Sequence, residues 1–229
     1  MSLSLISQYE QRLNDWYLHT LTPELRLPLP LLDDTLPYEE LRKRLKRDAY
    51  ADRMTIDLAL QFYSSFVSLH EMLLPKLGYD VQMRDDFWRW ENPEAVFEPL
   101  STSEPNQVEG APPNEHAIRS HRVCTQAANV IVDLLKYEVE ELGVCHVQMP
   151  VLMLAWDIQL RNAQLGQPVA DDPHKIVNKS NIVQARQKLL DCMDILQHGY
   201  LLNSNEEEVR RFFFNIGNRT RIALAREST

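Results

Sequence analysis

The feature that most limits what this chain can fold into is a pair of long stretches whose apolar residues return every third or fourth position and never alternate. Such spacing lines up side chains on one face of a helix, whereas a half-buried strand needs a period of two. From Ala49 to Leu74, one stripe holds Met54, Leu58, Phe62, Phe66, Leu69 and Leu73, and a second holds Ile56, Leu60, Tyr63 and Val67. A helix apolar on two sides packs against several neighbours. From Ala117 to Leu142 the stripe is Val123, Ala127, Ile131, Leu134 and Leu135, and Gly143 stops it. The chain spends only 6 glycines but 13 prolines over 229 residues. Helices begin and end well at proline, while sheets need glycine-bearing turns. The fold class expected is therefore all-α, a single domain of about seven or eight helices.

The remaining helices follow from the same spacing. One is expected over Ser4 to His19, with Leu5, Tyr9, Leu13 and Trp16 facing inward. Pro23 to Pro37 reads as an irregular crossing, followed by a short basic helix, Tyr38 to Arg47. Asp85 to Glu91 suggests a short helix bearing Phe87, Trp88 and Trp90. Val147 to Leu165 has proline in its first turn at Met149-Pro150, where the missing N–H costs nothing, and stops at Gly166 and Pro168. Asn178 to Gly199 carries Ile182, Ala185, Leu189, Met193 and Leu196. The last helix opens at Ser204 with Glu207 three residues on, a capping-box pattern, and turns Val209, Phe212, Phe213, Ile216 and Leu224 inward. Residues 1–97 form an N-terminal helical half, 98–115 a flexible loop, and 116–229 a C-terminal half packing on the first as one domain.

A formal charge of −9, with a pI near 5.3, argues against direct nucleic-acid binding, which needs a basic face for phosphates. Cys124, Cys145 and Cys192 stand far apart and form no C-x-x-C pair, so they read as reduced thiols. The sequons at Asn178 and Asn218 read as chance. The most apolar run, Val151 to Trp156, is too short to span a bilayer. A soluble protein of the nucleus or cytoplasm is expected, with no membrane partner.

Each constellation that could carry chemistry has a plainer reading. The pairs Asp33-Asp34, Asp85-Asp86 and Asp171-Asp172 could serve magnesium-dependent diphosphate chemistry. None has a third carboxylate one turn later, and solvated pairs at helix ends are common. His70-Glu71 starts like the H-E-x-x-H zinc helix, but Leu74 stands where the second histidine belongs. His19, His116, His121, His146, His174 and His198 show no metal spacing. Cys124 lies on an apolar stripe with Ala127 and Ala128, as an inert core thiol would. The run Arg42-Lys43-Arg44-Leu45-Lys46-Arg47 fits a nuclear localisation signal or phosphate contact, and better a solvated helix with Leu41 and Leu45 inward. Trp88, Trp90, Phe97 and Trp156 could line an apolar ligand pocket or be core. No residue qualifies as catalytic or metal-ligating, cofactor-binding residues stay unidentified, and no enzyme is expected.

Several segments together resemble a known family. Leu13-Asn14-Asp15-Trp16 followed by Leu21-Thr22-Pro23-Glu24-Leu25-Arg26 is similar to a helix ending in Trp and then a leucine–proline crossing. The aromatic helix Phe62-Tyr63-Ser64-Ser65-Phe66-Val67-Ser68-Leu69-His70-Glu71-Met72-Leu73-Leu74-Pro75, the run Cys124-Thr125-Gln126-Ala127-Ala128-Asn129-Val130-Ile131, and Ala185 to Met193 continue the likeness. Over Leu13 to Leu196 the chain resembles the regulatory, or middle homology, region of fungal zinc-cluster transcription factors. It departs after His70, where Glu-Met-Leu-Leu-Pro replaces an early Arg-Pro, and it lacks the six-cysteine zinc cluster. The resemblance implies an effector-responsive regulatory domain in the nucleus, with zinc only in a DNA-binding part outside this sequence. Its expected partners are transcriptional co-regulators or a small-molecule effector, and a homodimer stays open. The alternatives are a helical protein-interaction adaptor and an α-helical, magnesium-dependent diphosphate enzyme.

Overall fold

A computed structural model describes residues 3–27, 36–48, 51–74, 115–144, 147–164, 179–198 and 207–225. These form seven α-helices and no strand: α1 (Leu3–Asp15), α2 (Tyr38–Arg47), α3 (Arg53–His70), α4 (Glu115–Glu141), α5 (Met149–Gln164), α6 (Lys179–His198) and α7 (Glu207–Ala225). The all-α expectation holds. The expected helix over Asp85 to Glu91 and all of 98–114 lie outside the described residues, and Glu115 already belongs to α4.

Helix α4 is the centre, packed on α3, α5 and α6, while α5 also packs on α6 and α7. Its expected stripe is buried throughout, with Ala127, Ile131, Leu134 and Leu135 sealed from solvent. Truncating one of these leucines to alanine would cost about 2–5 kcal/mol, the lost burial plus the cavity left behind.

Two expected stripes need correction. In α1 the buried residues are Ile6 and Glu10; of the expected stripe Leu5 and Tyr9 are exposed, while Leu13 and the following Trp16 pack half-buried against the core. The helix is also not uniform: Trp16–Thr20 is a π-turn, in which the Leu21 amide reaches back to the Trp16 carbonyl at 3.0 Å. The wider turn rotates Tyr17 into the core. There its ring stacks on Phe62 at 4.3 Å, and its hydroxyl accepts the Leu27 amide at 3.3 Å. In α3 the second stripe wins: Ile56, Leu60, Tyr63 and Val67 are buried, whereas Met54 is exposed. Only Phe62 and Phe66 of the first stripe are sealed, because a helix face must follow its neighbours rather than its most apolar row. The start of α3 is set by Asp52, whose carboxylate accepts the Thr55 amide at 2.9 Å while Thr55 Oγ1 accepts the Asp52 amide at 3.1 Å. This reciprocal cap fixes a start at Arg53, four residues later than the expected segment.

The basic helix behaves as the solvated reading has it, with Leu41 and Leu45 buried. Arg42 and Lys46 converge on Glu141 of α4 at 2.5 and 2.7 Å. At the end of α4, Gly143 takes φ +62°, a left-handed conformation that suits glycine. The Glu138 carbonyl accepts the amides of Leu142 and Val144 there. In α7 Thr220 of the second sequon is buried and accepts the Trp156 indole N–H at 3.0 Å.

Candidate functional site

Polar side chains placed at core positions tie the helices together in three clusters. The first joins α1, α3 and α4. His70 is fully buried, with Nδ1 at 3.0 Å from Ser120 Oγ and Nε2 at 2.7 Å from Glu10 Oε1. Arg119 holds the other side of the Glu10 carboxylate, at 2.8 and 2.9 Å from its two oxygens. Burial lowers the His70 pKa more than the Glu10 charge raises it. A carboxylate, a histidine and a serine in line have the composition of a nucleophilic triad. Here Ser120 is 1% exposed and His70 is 0% exposed, so in this packing the hydroxyl meets no substrate-sized space. The arrangement fastens α1 across the α3–α4 seam.

The second cluster runs along α4 and α5. Asn162 contacts His121 at 2.7 Å and donates to Thr125 at 3.0 Å, and Gln159 donates to Asn129 at 2.9 Å. The third is charged and joins α4 to α6. Lys188 pairs with Asp133, and Lys136 pairs with Asp191 at 2.8 Å, also lying over the Tyr38 ring. Burial holds the Asp133 carboxyl above its ordinary pKa range even though Lys188 pulls it down.

Sequence-based candidates fall as follows. His70 is in the core, while its neighbour Glu71 is exposed. His121 is buried against Asn162, and His19, His116 and His198 are exposed. Cys124 is sealed, its thiol near the Val67 carbonyl and its pKa pushed by burial to about 12, and Cys192 is raised likewise. Both are inert thiols in this setting. The three aspartate pairs, Cys145, His146, His174, Trp88, Trp90 and Phe97 lie outside the described residues. Trp156 is core. Among the described residues no His, Cys, Asp and Glu side chains gather as a metal site. No described helix is long and apolar enough to cross a membrane.

Sequence reasoning missed Glu10, Ser120, Asn129, Asp133 and Glu138. A signal existed for some of them: Glu10 follows Ile6 by four, and Glu138 follows Ile131 by seven and Leu134 by four. A polar residue in step with an apolar stripe marks a buried group that must find a partner.

One surface stands apart from these ties. Between α6 and α7 lies a shallow, open groove of about 430 Å³, lined by Leu190, Met193, Gln197, Gly217, Arg221 and Leu224 among others. Phe214 on the same helix is 71% exposed, and Leu190 and Ile222 are also exposed. Compared with known protein families, curated proteins and solved structures, the chain matches none of them.

Proposed function

We propose that this chain is an effector-responsive regulatory domain of a fungal transcription factor, acting apart from the zinc cluster that contacts DNA. One observation carries the reading: the segments that resemble that family's regulatory region contribute to one core. Tyr17 beside Trp16, Phe62 and Phe66 in α3, Cys124 and Ile131 in α4, and Ala185 and Leu189 in α6 all belong to it. An effector would act by favouring one helix packing over another. The test fuses the chain to an unrelated sequence-specific DNA-binding domain upstream of a reporter gene. Transcription several-fold different from the DNA-binding domain alone supports the reading, provided the core-breaking Ile131→Asp fusion abolishes the difference. Equal transcription from both fusions overturns it.

A second reading, a helical protein-interaction adaptor, draws support from the α6–α7 groove. Its apolar lining, with the exposed Phe214 elsewhere on α7, suits the apolar face of a partner helix, and the lining Arg221 suits an acidic residue on that helix. A photo-crosslinking amino acid at position 214 should then yield one discrete adduct with another protein in cells. A folded protein that gives no adduct removes the reading.

A further inference from the structure

We propose that Glu138 is a proton-operated latch where the first turns of α3, the last turns of α4 and the approach to α5 meet. With a proton bound it lets these parts pack as described, and on ionising it loosens them. Glu138 is 1% exposed, and its Oε1 has no hydrogen-bond partner. A buried carboxylate without donors pays the full cost of lost hydration, which the neutral acid largely avoids. Its surroundings do little to offset that cost. From α3 the described charged groups acting on it are Asp57 and Arg53. Asp57 accepts from Gln148 Nε2 at 2.6 Å, just before α5 begins. One turn further along α4, Glu141 is occupied by Arg42 and Lys46 of α2.

The backbone of the same residue braces the α4–α5 connection. The Glu138 carbonyl accepts the Leu142 and Val144 amides at 3.2 and 3.0 Å, on either side of the left-handed Gly143. Strain at this side chain is therefore felt by the turn as well as by α3. Burial raises the carboxyl to about 7, Asp57 adds to the rise, and Arg53 opposes it. An unfolded chain releases this proton near an ordinary glutamate value, roughly 4.3. Between those two values the folded protein binds more protons than the unfolded one, so stability falls as pH rises and levels off above the folded value.

The experiment is thermal and urea unfolding of the whole chain and of Glu138→Gln, from pH 5 to pH 8. The glutamine variant copies the protonated side chain and cannot ionise. His70 titrates in the same window but is present in both proteins, so its contribution cancels in their difference. The expected result is a small difference at pH 5 that grows in favour of the variant up to about pH 7 and then stays constant. Over that range the ratio of the two folding constants should change on the order of a hundredfold. A difference independent of pH overturns the latch. Should the variant fail to fold, the carboxyl ¹³C shift of Glu138 in the wild-type protein decides instead: a midpoint near 7 supports the latch, and one near 4 overturns it.

Discussion

Among the described residues two glutamates are buried, and they are kept in opposite ways. Glu10, on α1, has both oxygens within 3 Å of Arg119 Nη2 and faces the His70 imidazole. Glu138, on α4, is sealed by the same core with an oxygen that nothing meets, and burial lifts its carboxyl to about 7. Both stand in step with apolar stripes, so local sequence treats them alike. The difference lies in what the neighbouring helix brings. α3 brings His70 to Glu10, while it brings another carboxylate, Asp57, towards Glu138. Burial alone thus does not fix a residue's charge; the donors delivered from other elements do.

The comparison breaks most visibly at a third buried acid, Asp133, whose partner Lys188 is itself almost fully buried. Lys188→Met should cost about 3–5 kcal/mol in urea unfolding, because it leaves a buried carboxylate without its cation. Adding Asp133→Leu should recover most of that loss. If Lys188→Met alone is nearly neutral, Asp133 follows the pattern of Glu138 rather than that of Glu10.

Glu10→Ala should cost less, about 2–3 kcal/mol, since Arg119 is half exposed and can turn to water while His70 loses a charged partner in the core. The same unfolding measurement checks it, and loss below about 0.5 kcal/mol would show that α1 is not fastened there.

pH separates the two glutamate regions by sign. The folded pKa of His70 is lowered, so its contribution is complete above the unfolded histidine value, roughly 6.5, and is lost as pH falls from there toward the folded value. Glu138 acts the other way, losing stability as pH rises toward about 7. The two windows overlap below about 6.5, so His70→Asn should remove the opposing slope there and make the fall of melting temperature with rising pH steeper, while leaving the stretch from about 6.5 to 7 unchanged.

The smallest effect is expected at Asp57. Asp57→Asn removes a like charge from beside Glu138 and should move that carboxyl's titration midpoint downward, as read by carboxyl ¹³C shifts. An unmoved midpoint would assign the rise to burial alone.

Much of the fold was legible in the sequence. The period of α4, the proline in the first turn of α5 and the glycine stop at Gly143 are local facts, and each holds. What was not legible is which face of α1 and α3 turns inward. Leu5 and Tyr9 are more apolar than Glu10, yet Glu10 is buried because α1 runs past His70 and Arg119, side chains 60 and 109 positions away in sequence. The π-turn at Trp16–Thr20 was likewise invisible, since it exists to bring Tyr17 onto Phe62.

The amino-acid order alone makes this chain helical and sets where most described helices begin and end, because apolar period, caps and breakers act within a few residues. It also determined which of Leu134, Leu135, Ile131 and Ala127 are core. The partners of the buried polar groups, from the Glu10–His70–Ser120 tie to the orphaned oxygen of Glu138, arise from how the helices pack. Whether a buried acid is a fastening or a titrating weak point depends on donors that arrive from other helices, and sequence spacing carries no record of their distance.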